Sequence, residues 1–137
     1  MSQENVALLR GAYEAFQRGD IDAVMKAFDP NIEWYSPGPA DLPTAGKRRG
    51  QAAVSEFFAA LDNMVEIQRF EPKEFFDVGD TVVVLGEDTS RVKATGRMIE
   101  GEWAHVCTVR NGKMIRFREY ADMSPLVAAL AQKAQAV

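Results

Sequence analysis

The sequence has few of the residues that bind metals or form disulfides. Its 137 residues include one cysteine, Cys107, and one histidine, His105. A single cysteine excludes an internal disulfide framework, and one histidine with one cysteine cannot assemble the usual zinc ligand sets. The sequence leaves a carboxylate-bound Mg²⁺ or Ca²⁺ open but gives no support for one, so we expect no metal site. A chain of this length can bury a sufficient core without one.

Long apolar runs and an excess of basic residues are also absent. The longest strongly apolar run, Val82 to Leu85, is too short to cross a bilayer, and no basic leader precedes the first apolar residues. The 16 basic and 20 acidic side chains give a net charge of −4, which argues against a nucleic-acid-binding surface. We expect a soluble, cytoplasmic protein that binds neither membranes nor nucleic acid.

The remaining composition is that of one ordinary globular domain. Hydrophobic residues make up 47% of the chain and charged residues 26%. No internal repeat, low-complexity tract or composition shift divides the sequence, so residues 1–137 are expected to form a single domain.

Apolar residues at spacings of three and four predict helices, mainly in the first half of the chain. Asp20 is a suitable N-cap for a second, short helix that carries Phe28. We expect Asp29-Pro30 to end this helix, because the residue before proline avoids the helical region. The predicted helices cover about residues 6–16, 21–28 and 51–62, with an alanine-rich last helix over 126–136 that begins after Ser124-Pro125.

Strands are predicted between and after these helices. Residues 31–36 alternate with Ile32, Trp34 and Ser36 on one side, and the proline-rich connection from Ser36 to Gly50 could form a lid over a pocket. Helices followed by antiparallel strands indicate an α+β fold, in which helices cover one face of a curved sheet and enclose a cavity. The later strands, an antiparallel meander, are predicted at 65–77, 81–92, 97–110 and 113–122.

Two registers are open for the last hairpin, and they place different residues on one face. A two-residue loop pairs His105 with Arg118, whereas a three-residue loop pairs His105 with Phe117. The three-residue loop is favoured because it separates an apolar face from the arginines. Only His105 and Glu119 are then polar on the inner face, diagonally across the hairpin. That face reads Trp103, His105, Cys107, Val109, Ile115, Phe117, Glu119 and Ala121.

A histidine and a carboxylate in an apolar cavity have the properties of a general acid and base. The pair His105 and Glu119 could move a proton at neutral pH. The same two residues could instead form a hydrogen-bonded polar pair inside the sheet, with no chemistry. Several aromatic residues are core residues or pocket walls: Trp34, Phe57, Phe58, Trp103 and Phe117.

The chain resembles the SnoaL-like polyketide cyclase and ketosteroid isomerase-related branch of the nuclear transport factor two-like superfamily. The resemblance runs from about Asn5 to Asp122 and rests on Gly19-Asp20, on Asp29-Pro-Asn-Ile-Glu-Trp, and on the segments beginning at Trp103 and Ile115. It implies a cone-shaped fold. It also implies a histidine and an acid in the last two strands, here His105 and Glu119, with glutamate in place of the family's aspartate.

Other branches of the superfamily fit the sequence less well. Limonene-type epoxide hydrolases have an aromatic residue and an acid at positions similar to Phe117 and Glu119, and Glu87 with Arg91 only loosely suggests their second acid. The base of ketosteroid isomerases falls at about Trp34, which cannot abstract a proton. Steroid isomerisation is therefore not expected.

The sequence thus predicts a pocket for a small lipophilic molecule, with His105 and Glu119 as an acid-base pair for an isomerase or cyclase acting on a carbonyl compound. An epoxide hydrolase and a non-catalytic ligand-binding or dimerisation module are the alternatives. The chemistry requires no cofactor. Many relatives are homodimers, so a homodimer is expected. The predicted substrate-binding residues are Tyr13, Trp34, Phe58, Trp103 and Phe117.

Overall fold

The computed structural model describes residues 2–131. The helices in this range are α1 (Ser2–Gln17), α2 (Ile21–Met25), α3 (Gln51–Met64) and α4 (Ser124–Ala131). The strands are β1 (Phe28–Ser36), β2 (Gly46–Arg49), β3 (Val65–Val78), β4 (Thr81–Val92), β5 (Met98–Arg110) and β6 (Lys113–Ala121). Residues 132–136 of the predicted last helix lie outside the described residues.

The strands form one six-stranded sheet in the order β2-β1-β6-β5-β4-β3. Strands β1 and β6 are parallel and all other neighbours are antiparallel. The sheet is curved but not closed, and α1 and α3 pack on its inner face through contacts with β3 and β1. The predicted α+β class and the antiparallel meander of the last four strands are confirmed. Within residues 2–131, no helix is both long and apolar enough to cross a membrane.

The second helix begins as predicted but ends earlier. The carboxylate of Asp20 accepts a hydrogen bond from the Ala23 N–H, as an N-cap does. The helix ends at Met25, however, and Asp29-Pro30 lies inside β1. The pairing of β1 with β6 is irregular over 28–33, so the proline there does not interrupt a regular ladder.

The proline-rich connection packs against the fold along part of its length. Its second half forms β2, which pairs antiparallel with β1 and was not predicted. Leu42 and Thr44 are buried, and Leu42 packs into a cluster with Met64 and Leu126. These contacts hold the connection against the end of the sheet.

The loop of the last hairpin contains two residues. Asn111 and Gly112 both have positive φ angles, 52° and 75°, which is the backbone of a type I′ turn. Arg110 therefore lies opposite Lys113, and the predicted three-residue loop is wrong.

A bulge in β6 then shifts the register by one residue. Val109 lies opposite Met114, but Thr108 lies opposite Arg116, which leaves Ile115 as the extra residue. Met114, not Ile115, is buried in the core on this side of the bulge. Both predicted registers are wrong beyond this point.

The bulge brings His105 directly opposite Glu119, instead of opposite Arg118 or Phe117. The two residues stay on the inner face, as the separation of apolar and basic residues predicted. Their side chains are cross-strand neighbours, not diagonal ones.

Gly86 in β4 makes room for the indole ring of Trp103. It lies opposite Trp103, and a Cβ atom at this position would overlap atoms Cζ2 and Cη2 of the indole. The absence of a side chain lets the Trp103 ring lie flat across the strand. Trp103 can therefore reach its position beside His105.

We expect Gly86→Ala to lower the free energy of unfolding by about 1–3 kcal/mol, because the added methyl displaces the indole. Gly11→Ala is the matched control. Gly11 is exposed in α1 with nothing within 4 Å of an added Cβ, so alanine there should stabilise by up to about 1 kcal/mol. Urea denaturation of both variants measures the difference. A Gly86→Ala variant as stable as wild type would contradict this account of Trp103.

Candidate active site

A cavity of two adjoining lobes lies between the helices and the inner face of the sheet. The inner lobe has a volume of about 90 Å³ and the outer lobe about 130 Å³, and both are lined by Phe57, Phe70 and Glu119. Other inner-lobe residues are Tyr13, Trp34, Phe58, His105 and Phe117. Other outer-lobe residues are Thr44, Asp88, Ser90, Trp103 and Asp122.

A chain of hydrogen bonds crosses this cavity. The hydroxyl of Tyr13 lies 2.8 Å from Nδ1 of His105, and Nε2 of the same ring lies 3.2 Å from Oε2 of Glu119. Tyr13 comes from α1, whereas His105 and Glu119 come from β5 and β6. Both ring nitrogens of His105 are thus occupied by protein groups.

Aromatic rings hold the imidazole in place. The Trp103 ring stacks on His105 with 4.0 Å between centroids, and Phe117 contacts the imidazole at 4.5 Å. Phe70 also stacks on Trp103, with 4.9 Å between centroids. His105 is only 4% exposed, so its orientation is fixed by packing as well as by hydrogen bonds.

The protonation of Tyr13 gives the chain a direction. Burial raises the pKa of the Tyr13 phenol well above its usual value, and the nearby Cys107 and Glu119 raise it further. The phenol therefore keeps its proton and can donate to Nδ1. In the tautomer whose Nδ1 accepts from Tyr13, the ring proton is on Nε2 and is donated to the carboxylate of Glu119.

Glu119 is the member of the chain with free acceptor capacity. Its side chain is 23% exposed and lines both lobes, whereas His105 uses both nitrogens internally. One carboxylate oxygen accepts from His105. The other is the atom that can meet a bound molecule.

The structure brings every predicted site residue to the cavity wall, but not to one lobe. Trp103 lines the outer lobe, and the other predicted residues line the inner one. Trp34 stacks on Phe117 with 3.9 Å between centroids and donates its indole N–H to Ser36. Tyr13, expected as a wall, is also a hydrogen-bond partner of His105.

Asp88 is the main residue that the sequence analysis missed. It lies on β4 with the same alternation as Val82, Val84 and Val92, which are fully buried, so its position on the inner face was readable from the sequence. Burial, and then the negative charge of Glu119, raise the pKa of Asp88 to about 6, while Arg69 opposes this.

Glu87 and Arg91, the alternative acid-arginine arrangement, do not line either lobe. Glu87 and Arg91 have the opposite alternation on β4 and face away from the cavity. Glu87 pairs with Arg69, and Arg91 pairs with Glu66. The mapping of an epoxide hydrolase site onto these two residues is therefore wrong. In the part of the chain that the structure describes, no cluster of three potential metal ligands occurs.

Comparison with known proteins places the chain in a family. The SnoaL-like domain family matches residues 9–117. An uncharacterised protein of Mycobacterium tuberculosis strain H37Rv is 30% identical over 120 residues, which cover 84% of this chain and 87% of that protein.

Solved structures are similar over nearly the whole chain. An NTF2-like protein of Burkholderia xenovorans is 39% identical with a TM-score of 0.84, covering 94% of this chain and 97% of the other. TerC, co-crystallised with polyporic acid, is 26% identical with a TM-score of 0.85, covering 94% and 99%. The cone-shaped fold that the resemblance implied is confirmed.

The hydrogen-bond chain predicts one tautomer of the imidazole. We expect ¹⁵N NMR of the protein to show the His105 ring proton on Nε2 and Nδ1 as a hydrogen-bond acceptor. The signal needs no assignment, because the chain has one histidine. Tyr13→Phe removes the donor to Nδ1 and should shift the Nδ1 resonance. A wild-type ring that carries its proton on Nδ1 would contradict the direction assigned here.

The raised pKa of Asp88 predicts a pH-dependent stability. Between the ordinary pKa of 3.8 and about 6, the folded state keeps the Asp88 proton whereas the unfolded state releases it. The free energy of unfolding therefore falls as the pH rises through that range. The always-neutral Asp88→Asn should be more stable than wild type by about 1–2 kcal/mol above about pH 7, after allowance for solvent screening, and by little near pH 4.

Urea denaturation at the two pH values measures this difference. Asp77→Asn, an exposed carboxyl on β3, is the control and should show no comparable trend. An advantage of Asp88→Asn that does not grow with pH would rule out a raised pKa at this position.

Proposed function

Since the chain belongs to the SnoaL-like domain family, we propose that its cavity binds a small lipophilic carbonyl compound and that Glu119 moves a proton next to the carbonyl group. The observation that carries this proposal is the chain from Tyr13 through His105 to Glu119, in a cavity that is otherwise mainly aromatic. TerC, a similar protein, was crystallised with a small molecule, polyporic acid, which supports a ligand-binding role.

In the proposed reaction, the free oxygen of Glu119 accepts a proton from the carbon next to the carbonyl group. The C–H electron pair moves into the carbonyl system and forms an enolate. Return of the proton from Glu119 to the same carbon gives exchange, and return to another carbon gives an isomer. Carboxylates positioned in this way contribute about 10²–10⁴-fold to such proton transfers.

His105 and Tyr13 act as positioning residues in this proposal. The Nε2 proton of His105 holds one oxygen of Glu119, and Tyr13 fixes the tautomer of the ring. The aromatic walls exclude water, which strengthens each of these hydrogen bonds. The chemistry needs no cofactor, and this expectation, like those of a single domain, a homodimer and a cytoplasmic location, stays a prediction.

Hydrogen exchange into a simple ketone tests the proposal. We expect the wild-type protein to accelerate deuterium incorporation at C2 of 1-tetralone in D₂O, followed by NMR. Glu119→Gln should lower the rate by about 100-fold or more, because the amide cannot accept the proton. Tyr13→Phe should reduce the rate by a smaller factor, because it removes a hydrogen bond that only orients the imidazole.

Glu87→Gln is the matched control, because it makes the same change in a side chain on the opposite face of the sheet. It should leave the exchange rate within about twofold of wild type. Exchange that persists in Glu119→Gln would remove the assignment of Glu119. Wild-type protein that binds 1-tetralone without exchange would instead favour a non-catalytic binding module.

A further inference from the structure

The outer lobe carries a polar wall that the proposed proton transfer does not use. Ser90 and Thr44 line it, and they are only 4% and 3% exposed. Asp88 lies on the same strand face as Ser90, two residues away. Within the described range 2–131, the side chains of these three residues have no hydrogen-bond partner. Buried polar groups in proteins are usually paired, so this wall has unused hydrogen-bonding capacity.

The carboxylate of Asp88 is held close to the backbone of the neighbouring strand. It lies opposite Gly101, and a Cβ there would be 3.0 Å from Oδ1 of Asp88. The positive charge of Arg69 lowers the pKa of Asp88, but the Arg69 guanidinium hydrogen-bonds to Glu71 and Glu87 and not to Asp88. No protein donor in the described structure therefore satisfies this acceptor.

We propose that the outer lobe is a polar subsite in which Asp88 accepts a hydrogen bond from a hydroxyl group of the ligand. The carbonyl end of the same molecule then lies at Glu119, which borders both lobes. The inferred ligand class is a hydroxylated ring compound that also carries a carbonyl group. Only the placement of the carbonyl end at Glu119 rests on the proposed function.

A hydroxyl group fits this wall better than an ammonium group. A hydroxyl can donate to Asp88 and at the same time accept from the hydroxyl of Ser90 or Thr44, whereas an ammonium group can only donate. Glu100, Glu102 and Asp122 also line the outer lobe but are exposed to solvent, whereas Asp88 is half-buried near the buried Ser90. An ammonium group at Asp88 would therefore lose far more hydration energy than a hydroxyl group. A neutral donor is therefore the cheaper partner for a half-buried carboxylate.

Binding of three related ketones tests the subsite. Calorimetry at about pH 7.5 compares 1-tetralone, 7-hydroxy-1-tetralone and 7-methoxy-1-tetralone, since Asp88 is then mostly ionised. Wild-type protein should bind the hydroxy compound about tenfold or more tightly than the methoxy compound, as expected for a hydrogen bond to a charged group. Asp88→Leu should abolish this preference, and Asp88→Asn, whose amide oxygen still accepts, should keep part of it.

Asp77→Asn is the control, because Asp77 is an exposed carboxyl on β3 that lines neither lobe. It should leave the hydroxyl preference unchanged. Equal binding of the hydroxy and methoxy compounds, a preference that survives Asp88→Leu, or no binding of any of the three would overturn the subsite. Deuterium exchange without hydroxyl preference removes only the subsite, and hydroxyl preference without exchange removes only the proposed function.

Discussion

The cross-strand pair of His105 and Glu119 depends on one extra residue in β6. A type I′ turn at Asn111 and Gly112 fixes the start of the hairpin, and continued without a bulge it would place His105 opposite Arg118. The bulge at Ile115 returns the polar pair to the cavity face and the arginines to the outer face. The turn and the site are thus compatible only because the ladder is interrupted between them.

The site is assembled at some cost to the stability of the sheet. Asp88 is a half-buried carboxylate without a donor, and among the described residues the indole N–H of Trp103 is buried without an acceptor. Each such group costs about 1–3 kcal/mol relative to a paired one. Gly86, which is needed to make room for Trp103, also has the low intrinsic strand preference of glycine. Proteins commonly tolerate such local costs where a ligand or a reaction requires them.

Hydrophobic alternation predicted most of the sheet but not the details on which the site depends. The limits of β4 and the inner position of His105 and Glu119 follow from period-two patterns. Extending the same alternation along β4 from Val84 would also have placed Asp88 on the inner face. The bulge at Ile115 could not be predicted, because the preference of Asn-Gly for a tight turn says nothing about the ladder beyond it.

The bond between Tyr13 and His105 has a different origin. These residues are 92 positions apart, and their contact depends on how α1 crosses the sheet. No local pattern encodes that angle. Strand β2 escaped prediction for a related reason: its four residues, Gly46–Arg49, are mostly basic and become a strand only by pairing with β1.

The glutamate at position 119 suits a directly opposed pair better than the aspartate of the family it resembles. Opposed residues have Cβ atoms about 5 Å apart, and Nε2 lies at the far end of the imidazole. An aspartate is shorter by one methylene, about 1.5 Å, so at the same backbone positions its carboxylate would lie farther from Nε2. The longer side chain spans this gap at 3.2 Å and still reaches both lobes. The same fold supports many activities. The length of the Glu119 side chain, more than the fold itself, therefore determines where a substrate can meet the base.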